Sequence, residues 1–293
     1  MICIKLTGGL GNQMFQYALA KHYQSQNIRT YLDLEFYDNS EHAAIRSFSL
    51  SVFSITVPIL PLFYKRYLYS QKAIWKIARK VLRLSFEFVH ESGHNFNDKY
   101  LHLTHHAVVT GYFQSQKYFD HIREEIVNDF NINQSLSSRN LGYLETIKKS
   151  ESVSLHIRRG DYASNQATQE KHGVLPSSYY MAAIKIVNNK IMNAEYFVFT
   201  DDVSWVKENL GAVLNQFTIV EGNSSENAWQ DLFLMSQCRH AITANSSFSW
   251  WGAWLNKNPA KLVIAPEAWC ADPQLNAQMG DVVPENWIKI GNF

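Results

Sequence analysis

The feature that most constrains this chain is an alternation of short β-rich runs with helical patterns through its second half. Residues 153–157 are followed by a helical period over 178–188, residues 196–200 by 203–210, and residues 217–220 by 226–237. The series continues through 241–244, a helix over about 247–256, and 262–265. Strands that read as hydrophobic throughout and are joined by helix-length segments build a parallel sheet with helices on both faces. The expectation is a doubly wound, Rossmann-like domain.

The first half opens the same way, with a strand over 2–6, a glycine turn, a helix over about 13–26 and a strand over 30–32. It then becomes less regular. A single helix over 65–83 and a strand near 108–112 are expected, and the polar run 131–140 (NINQSLSSRN) reads as the approach to a boundary placed near residue 150. The resulting division is 1–150 and 151–293, in keeping with two medium domains in a chain of 293 residues. A hydrophobic content of 46% against 18% charged residues excludes disorder. With 27 Lys and Arg against 26 Asp and Glu, no global field favours nucleic acid. The three cysteines lie far apart without metal-ligand spacing, which argues against a disulfide scaffold or a zinc site. The N-terminus enters a strand directly, without the charged and apolar regions of a signal peptide, and the apolar stretch 50–64 is interrupted by Pro58 and Pro61. A cytoplasmic protein is therefore expected.

In a parallel sheet, ligands bind beyond the carboxyl ends of the strands, so polar clusters directly after predicted strands carry most weight. Three occur. Thr7-Gly8-Gly9-Leu10-Gly11-Asn12-Gln13 lies between a strand and a helix. Read from Gly9 and Gly11, the third position of the dinucleotide fingerprint is Met14, and no P-loop lysine follows, so a Rossmann oxidoreductase is a poor reading. A tight turn and a ligand role for Gly9 and Gly11 stand level on spacing alone; the amides of Asn12 and Gln13 favour contact with sugar hydroxyls. The second cluster, His156-Ile157-Arg158-Arg159-Gly160-Asp161, runs off the strand at 153–157. Alternation places His156 and Arg158 on one face, where a guanidinium matches the oxygens of a diphosphate. Asp161 is a candidate to orient an arginine or to act as a base. A surface ion-pair cluster around a satisfied histidine is the alternative. In the third cluster Ser246, Ser247 and Phe248 open a helix whose unpaired N–H groups favour an anion. Behind them Trp250, Trp251 and Trp254 have the spacing of packing residues.

The strand at 196–200 ends in Asp201 and Asp202. For Asp202 recognition of a nucleobase or ribose is expected, with capping of the next helix as the alternative. Adjacent aspartates lack the Asp-x-Asp arrangement of metal-dependent sugar-nucleotide transferases, and no metal is assigned.

GGLGNQMFQYA at residues 8–18, HIRRGDY at 156–162, FTDD at 199–202 and the run from Asp231 to Asn256 closely resemble bacterial α-1,2-fucosyltransferases of glycosyltransferase family 11. The motifs span most of the chain in the family's order. The resemblance implies an α/β, GT-B-like architecture of two Rossmann-like domains facing a cleft, the N-terminal one mainly on the acceptor side. It implies GDP-L-fucose as donor, inversion at the anomeric carbon, and transfer to O2 of a terminal β-galactose with no metal or other cofactor required. Carried over by position, Arg158 resembles the arginine on the β-phosphate and His156 its donor-site partner. Asp202 resembles the acid that reads guanine or ribose. Ser246, Ser247 and Phe248 resemble the phosphate-side turn, Asn12 resembles the amide reaching the reacting sugar, and Asp161 is the candidate base. The resemblance names no acceptor-binding residue. The acceptor it implies is a galactose-terminated oligosaccharide, including a lipid-linked one of O-antigen type.

Two further readings complete the sequence. A non-catalytic nucleotide-binding module, or a fucosyltransferase of another linkage, would carry the same strand-end sites. From Ala43 to Phe86 there is no acidic residue but eight Lys and Arg, which reads either as a basic amphipathic helix on anionic headgroups, at the inner face of the cytoplasmic membrane, or as a solvated helix face.

Overall fold

The computed structural model describes residues 1–38, 47–160, 173–214 and 216–291, which form two units, Met1–Gln134 and Ser135–Phe293.

The first unit is built on four parallel strands in the order β2-β1-β4-β3: β1 (Ile2–Lys5), β2 (Thr30–Asp33), β3 (Glu87–His90) and β4 (Ala107–Thr110). The helix Leu10–Ser25 packs on β1 and β2 and is buried almost without interruption from Gly11 to Tyr23, because irregular segments cover the side that the sheet does not. That burial includes polar groups, which are hydrogen-bonded in turn. Lys21 Nζ reaches Asp129 at 3.0 Å and Thr56 Oγ1 at 2.9 Å, and the Tyr17 hydroxyl donates to Asp129. The edge strand β3 was not expected from sequence; three of its four residues are exposed, so it lacks both a hydrophobic run and clear alternation.

The helix expected over 65–83 is two helices, Leu62–Tyr69 and Ala73–Leu82. The break has a local cause. The Arg79 guanidinium donates to the carbonyls of Tyr67, at 2.5 Å, and Ser70, at 2.9 Å, so the end of the first helix is satisfied by a side chain rather than by another turn. Ser70 and Lys72 are both extended.

The second unit contains six parallel strands in the order β10-β9-β8-β5-β6-β7: β5 (Glu151–Ile157), β6 (Ala194–Thr200), β7 (Phe217–Ile219), β8 (His240–Ile242), β9 (Val263–Pro266) and β10 (Ile288–Ile290). Counted from β5, this is the 3-2-1-4-5-6 order of a doubly wound Rossmann sheet. Val153, Leu155 and Ile157 pack with Tyr179, Tyr180 and Ile184 on one face, and Phe197 and Phe199 pack with Leu234, Met235 and Ile147 on the other. The helix Ser138–Lys149 therefore belongs to this unit. The division falls between Gln134 and Ser135, inside the polar run 131–140 and ahead of the expected 150. Trp250, Trp251 and Trp254 are fully buried and pack on one another, with Trp250 Nε1 donating to Val282 O at 2.7 Å, as their helical spacing implied.

Gln16 binds the ends of two strands in the first unit together. It accepts from Thr7 N at 2.9 Å and donates to Thr7 Oγ1 at 3.0 Å and to Gly111 O at 2.8 Å, with no exposed surface. Gln16→Leu keeps the volume but strands two backbone groups, each costing about 1–3 kcal/mol when buried without a partner. Urea denaturation should show a loss of roughly 2–4 kcal/mol. An unchanged midpoint would refute this role.

Candidate active site

In the second unit the chain winds one way from β5 through β6 to β7 and the other way from β8 to β10. The sheet therefore has a switch point between β5 and β8. Crevices outside the carboxyl ends of strands at such a point accept ligands without displacing core packing. His156 lies at the end of β5, and Ser246, Ser247 and Phe248 follow β8. The structure brings them together, with the rings of His156 and Phe248 5.8 Å apart.

His156 sits on the face of β5 opposite Val153, Leu155 and Ile157, as alternation requires. It is buried, and its Nδ1 has no hydrogen-bond partner among the described residues. Burial first, and the Arg158 guanidinium second, push its pKa down to about 3, against the pull of Asp201. The imidazole is therefore neutral at physiological pH and offers a ring nitrogen rather than a charge.

Arg158 supplies the charge. Its Nη1 is 2.9 Å from Asp201 Oδ2, and 30% of the side chain is exposed. The parallel register pairs Ile157 with Thr200, which puts Arg158 and Asp201 side by side just past the two strand ends. Asp201 also accepts from Arg159 N at 2.8 Å, and a Cβ on Gly160 would lie 2.8 Å from Asp201 Oδ2, so this turn closes tightly on the carboxylate. Arg159 is turned elsewhere: its Nε donates to Asp202 at 3.1 Å and its guanidinium lies 4.5 Å from the Trp205 ring centroid.

Asp202 caps the helix Val203–Leu210, accepting from Trp205 N at 3.0 Å through Oδ1 while Oδ2 takes Arg159. Of the two readings its sequence position allowed, capping is the one the geometry displays. Asp201 and Asp202 each hold an arginine; Asp161, a candidate to orient one of them or to act as a base, lies outside the described residues.

The helix Ser247–Leu255 begins just after β8. Ser246 is its N-cap, its hydroxyl accepting from Phe248 N at 3.3 Å, and the buried Ser249 hydroxyl accepts from Ala244 N at 3.3 Å. Ser246, Ser247 and Phe248 are each half-buried, so the positive end of this helix meets solvent at the crevice. A carboxylate that the sequence did not single out lies in the first turn of the helix Ala228–Gln237. Asp231 accepts from Asn223 at 2.5 Å, and burial raises its pKa to about 6.

In the first unit the glycine turn follows β1. Gly8 has φ +76°, and a Cβ there would meet Asn12 Nδ2 at 2.8 Å, so the turn needs glycine on both counts. Gly9 precedes the helix and Gly11 is buried within its first turn. Asn12 is half-buried and accepts from Gln114 Nε2 at 2.8 Å, which fixes its amide at the carboxyl edge of the sheet. Gln13, expected beside Asn12 as a second ligand amide, is structural: it is fully buried, donates to Gly8 O and Ser47 O, and accepts from Ser49 N at 2.8 Å. Glu91, beyond β3 on the same edge, was also missed. It accepts from the N–H groups of Tyr112 and Phe113 at 2.6 and 3.1 Å, yet burial raises its pKa.

Among the described residues no cluster of His, Cys, Asp and Glu could hold a metal ion, and no helix is long and apolar enough to cross a membrane.

The sequence model of Glycosyl transferase family 11 matches residues 1–291. An Escherichia coli protein named alpha-1,2-colitosyltransferase is 33% identical over 299 residues, covering 99% of both chains. A second E. coli protein, the O-antigen biosynthesis glycosyltransferase WbnK, is 34% identical over 97% of this chain and 99% of its own. Among solved structures, a variant of Arabidopsis thaliana FUT1 in complex with GDP superposes with a TM-score of 0.51 over 89% of this chain and 69% of that one, at 12% identity. The fold is α/β and GT-B-like, as the sequence implied.

His156 also makes stability pH-dependent in a stated direction. Because its pKa is lowered in the folded state, the unfolded chain binds the extra proton, and stability is lost as pH falls from about 6.5 toward 3. Relative to His156→Phe, the protein should lose up to about 1.4 kcal/mol per pH unit across that window. A pH-independent difference between the two would contradict a buried neutral imidazole.

Proposed function

Because the chain belongs to glycosyltransferase family 11, we propose that it transfers L-fucose from GDP-β-L-fucose to O2 of a terminal β-galactose of an oligosaccharide, with inversion at fucose C1. The observation that carries this reading is the switch point of the second unit. There an arginine, a neutral histidine nitrogen without a partner and the open end of a helix stand together where a diphosphate would sit.

The chemistry follows from what must be stabilised. The galactose O2 lone pair forms the bond to C1 as the bond from C1 to the β-phosphate oxygen breaks, and negative charge builds on the departing GDP. Arg158, the Ser247 N–H and the positive end of the helix behind it accept that charge; fixed dipoles of this kind need no reorganisation during the reaction. His156, uncharged, presents its nitrogen to a phosphate oxygen. Asn12, its amide oxygen held by Gln114, offers Nδ2 to the reacting sugar. Gly9 and Gly11 let the backbone approach that sugar. Asp161 takes the proton from the galactose 2-hydroxyl, and Asp202, on Arg159, borders the donor site on the nucleoside side. The site needs no metal. The acceptor is a galactose-terminated glycan of O-antigen type, modified on the cytoplasmic side.

A second reading concerns the donor. One full-length relative is named a colitosyltransferase. Colitose is the 3-deoxy counterpart of L-fucose, so the same phosphate machinery serves either sugar and the choice rests on whether the site hydrogen-bonds O3.

Incubation with both GDP-sugars and a panel of β-galactosides, with chelator present, should yield an α-1,2 product identifiable by NMR. GDP binding without transfer or donor hydrolysis would instead favour a non-catalytic nucleotide-binding module. Arg158→Ala should lower kcat by roughly 10²–10³-fold with circular dichroism unchanged. Near-normal turnover by that variant would remove Arg158 from the assignment.

A further inference from the structure

The helix Ala73–Leu82 has no buried residue, and its apolar side chains face outward: Ile74 is 68% exposed, Ile77 60% and Val81 72%. Their spacing of i, i+3 and i+7 puts all three on one stripe. The helix rests on its neighbour through the opposite side, where Arg79 donates to Tyr67 O and Ser70 O and Trp75 meets Phe63 edge-on at 5.6 Å. Leu62 and Phe63, at the start of the preceding helix, are themselves exposed.

Charge decides what covers such a stripe. From Ser47 to Phe86 the chain has seven Lys and Arg and no Asp or Glu. Lys65 pairs with Asp38, and Arg79 is bound to carbonyls. Arg66, Lys72, Lys76, Lys80 and Arg83 have no ion-pair partner among the described residues. Lys76 and Lys80 are exposed on the polar side of the helix, Lys80 nearer the edge of the Ile74–Ile77–Val81 stripe, and Lys72 is the exposed, extended residue just before it; in helices that lie in a lipid interface, lysine stems cover apolar surface and their ammonium groups reach headgroups. A protein partner with an apolar groove would satisfy the stripe but leave five cations to be matched. An anionic bilayer satisfies both at once.

We propose that the Ala73–Leu82 helix is a docking surface for anionic lipid, with Ile74, Ile77 and Val81 inserted among the acyl chains and Lys72, Lys76 and Lys80 on the phosphates. The proposal rests on this surface alone and holds whichever sugar the site transfers. Each lysine near an anionic surface strengthens partitioning about fivefold, and the attraction is screened by salt.

Flotation of the intact protein with vesicles of phosphatidylcholine alone, or with 30% phosphatidylglycerol, at low and high salt tests it; that vesicle composition is about that of a moderately anionic membrane. Binding is expected to the anionic vesicles and to weaken with salt. Lys72→Gln, Lys76→Gln and Lys80→Gln together should weaken it on the order of 10²-fold. Ile77→Glu with Val81→Glu should abolish it while leaving transfer to a soluble acceptor unchanged. No flotation of the unaltered protein at low salt would overturn the proposal, as would binding indifferent to Ile77→Glu with Val81→Glu. A concentration-dependent dimer in sedimentation that those two substitutions dissolve, without vesicle binding, would overturn it in favour of a second copy of the chain.

Discussion

The ion pair between Arg158 and Asp201 is the interaction on which the rest of the site depends. Arginine and aspartate leave the ends of neighbouring parallel strands, so the sheet's register holds a guanidinium where the strands diverge. Part of the arginine is exposed beside the carboxylate, and Gly160 lets the turn close on it without a side chain in the way. Beside it, burial keeps His156 neutral, which avoids a second positive charge next to Arg158 and preserves a ring nitrogen for hydrogen bonding. Across the switch point, the helix that opens at Ser247 supplies N–H groups from a different segment. Charge and neutral donor come from the end of β5 and the helix end from the segment after β8, and the 3-2-1-4-5-6 strand order makes these two segments neighbours.

Much of this was legible in the sequence because the chemistry and the fold signal coincide. Hydrophobic runs ending in HIRRGD, TDD and ANSSF marked both the strands and the edge at which ligands bind. What escaped was pairing across the chain. Asp201 carries no role in the sequence beyond ending a strand, although adjacency of the first two strands in a doubly wound sheet puts it beside Arg158. Asp202 offered two roles that residue type could not separate; its position three residues before Trp205 N settled the cap.

In the first unit, the illegible parts trace to polar residues with interior duties. Gln13 and Asn12 are adjacent amides in one glycine turn, yet a helix sends them in different directions, one into the interior to hold Ser47 and Ser49 and the other to the sheet edge. The break between the helices at Leu62–Tyr69 and Ala73–Leu82 was invisible for a similar reason: no proline or glycine marks it, and the guanidinium that satisfies it, that of Arg79, belongs to the helix that follows. The exposed strand β3 has too little apolar patterning to declare itself.

The central claim is that Arg158 and the helix start at Ser247 meet the β-phosphate. Calorimetric titration of GDP and GMP into the protein and into Arg158→Ala measures this directly. If the claim holds, the unaltered protein prefers GDP strongly, and the variant loses that preference while its affinity for GMP changes little. Equal weakening of both nucleotides, or an intact preference for GDP, would place the diphosphate elsewhere.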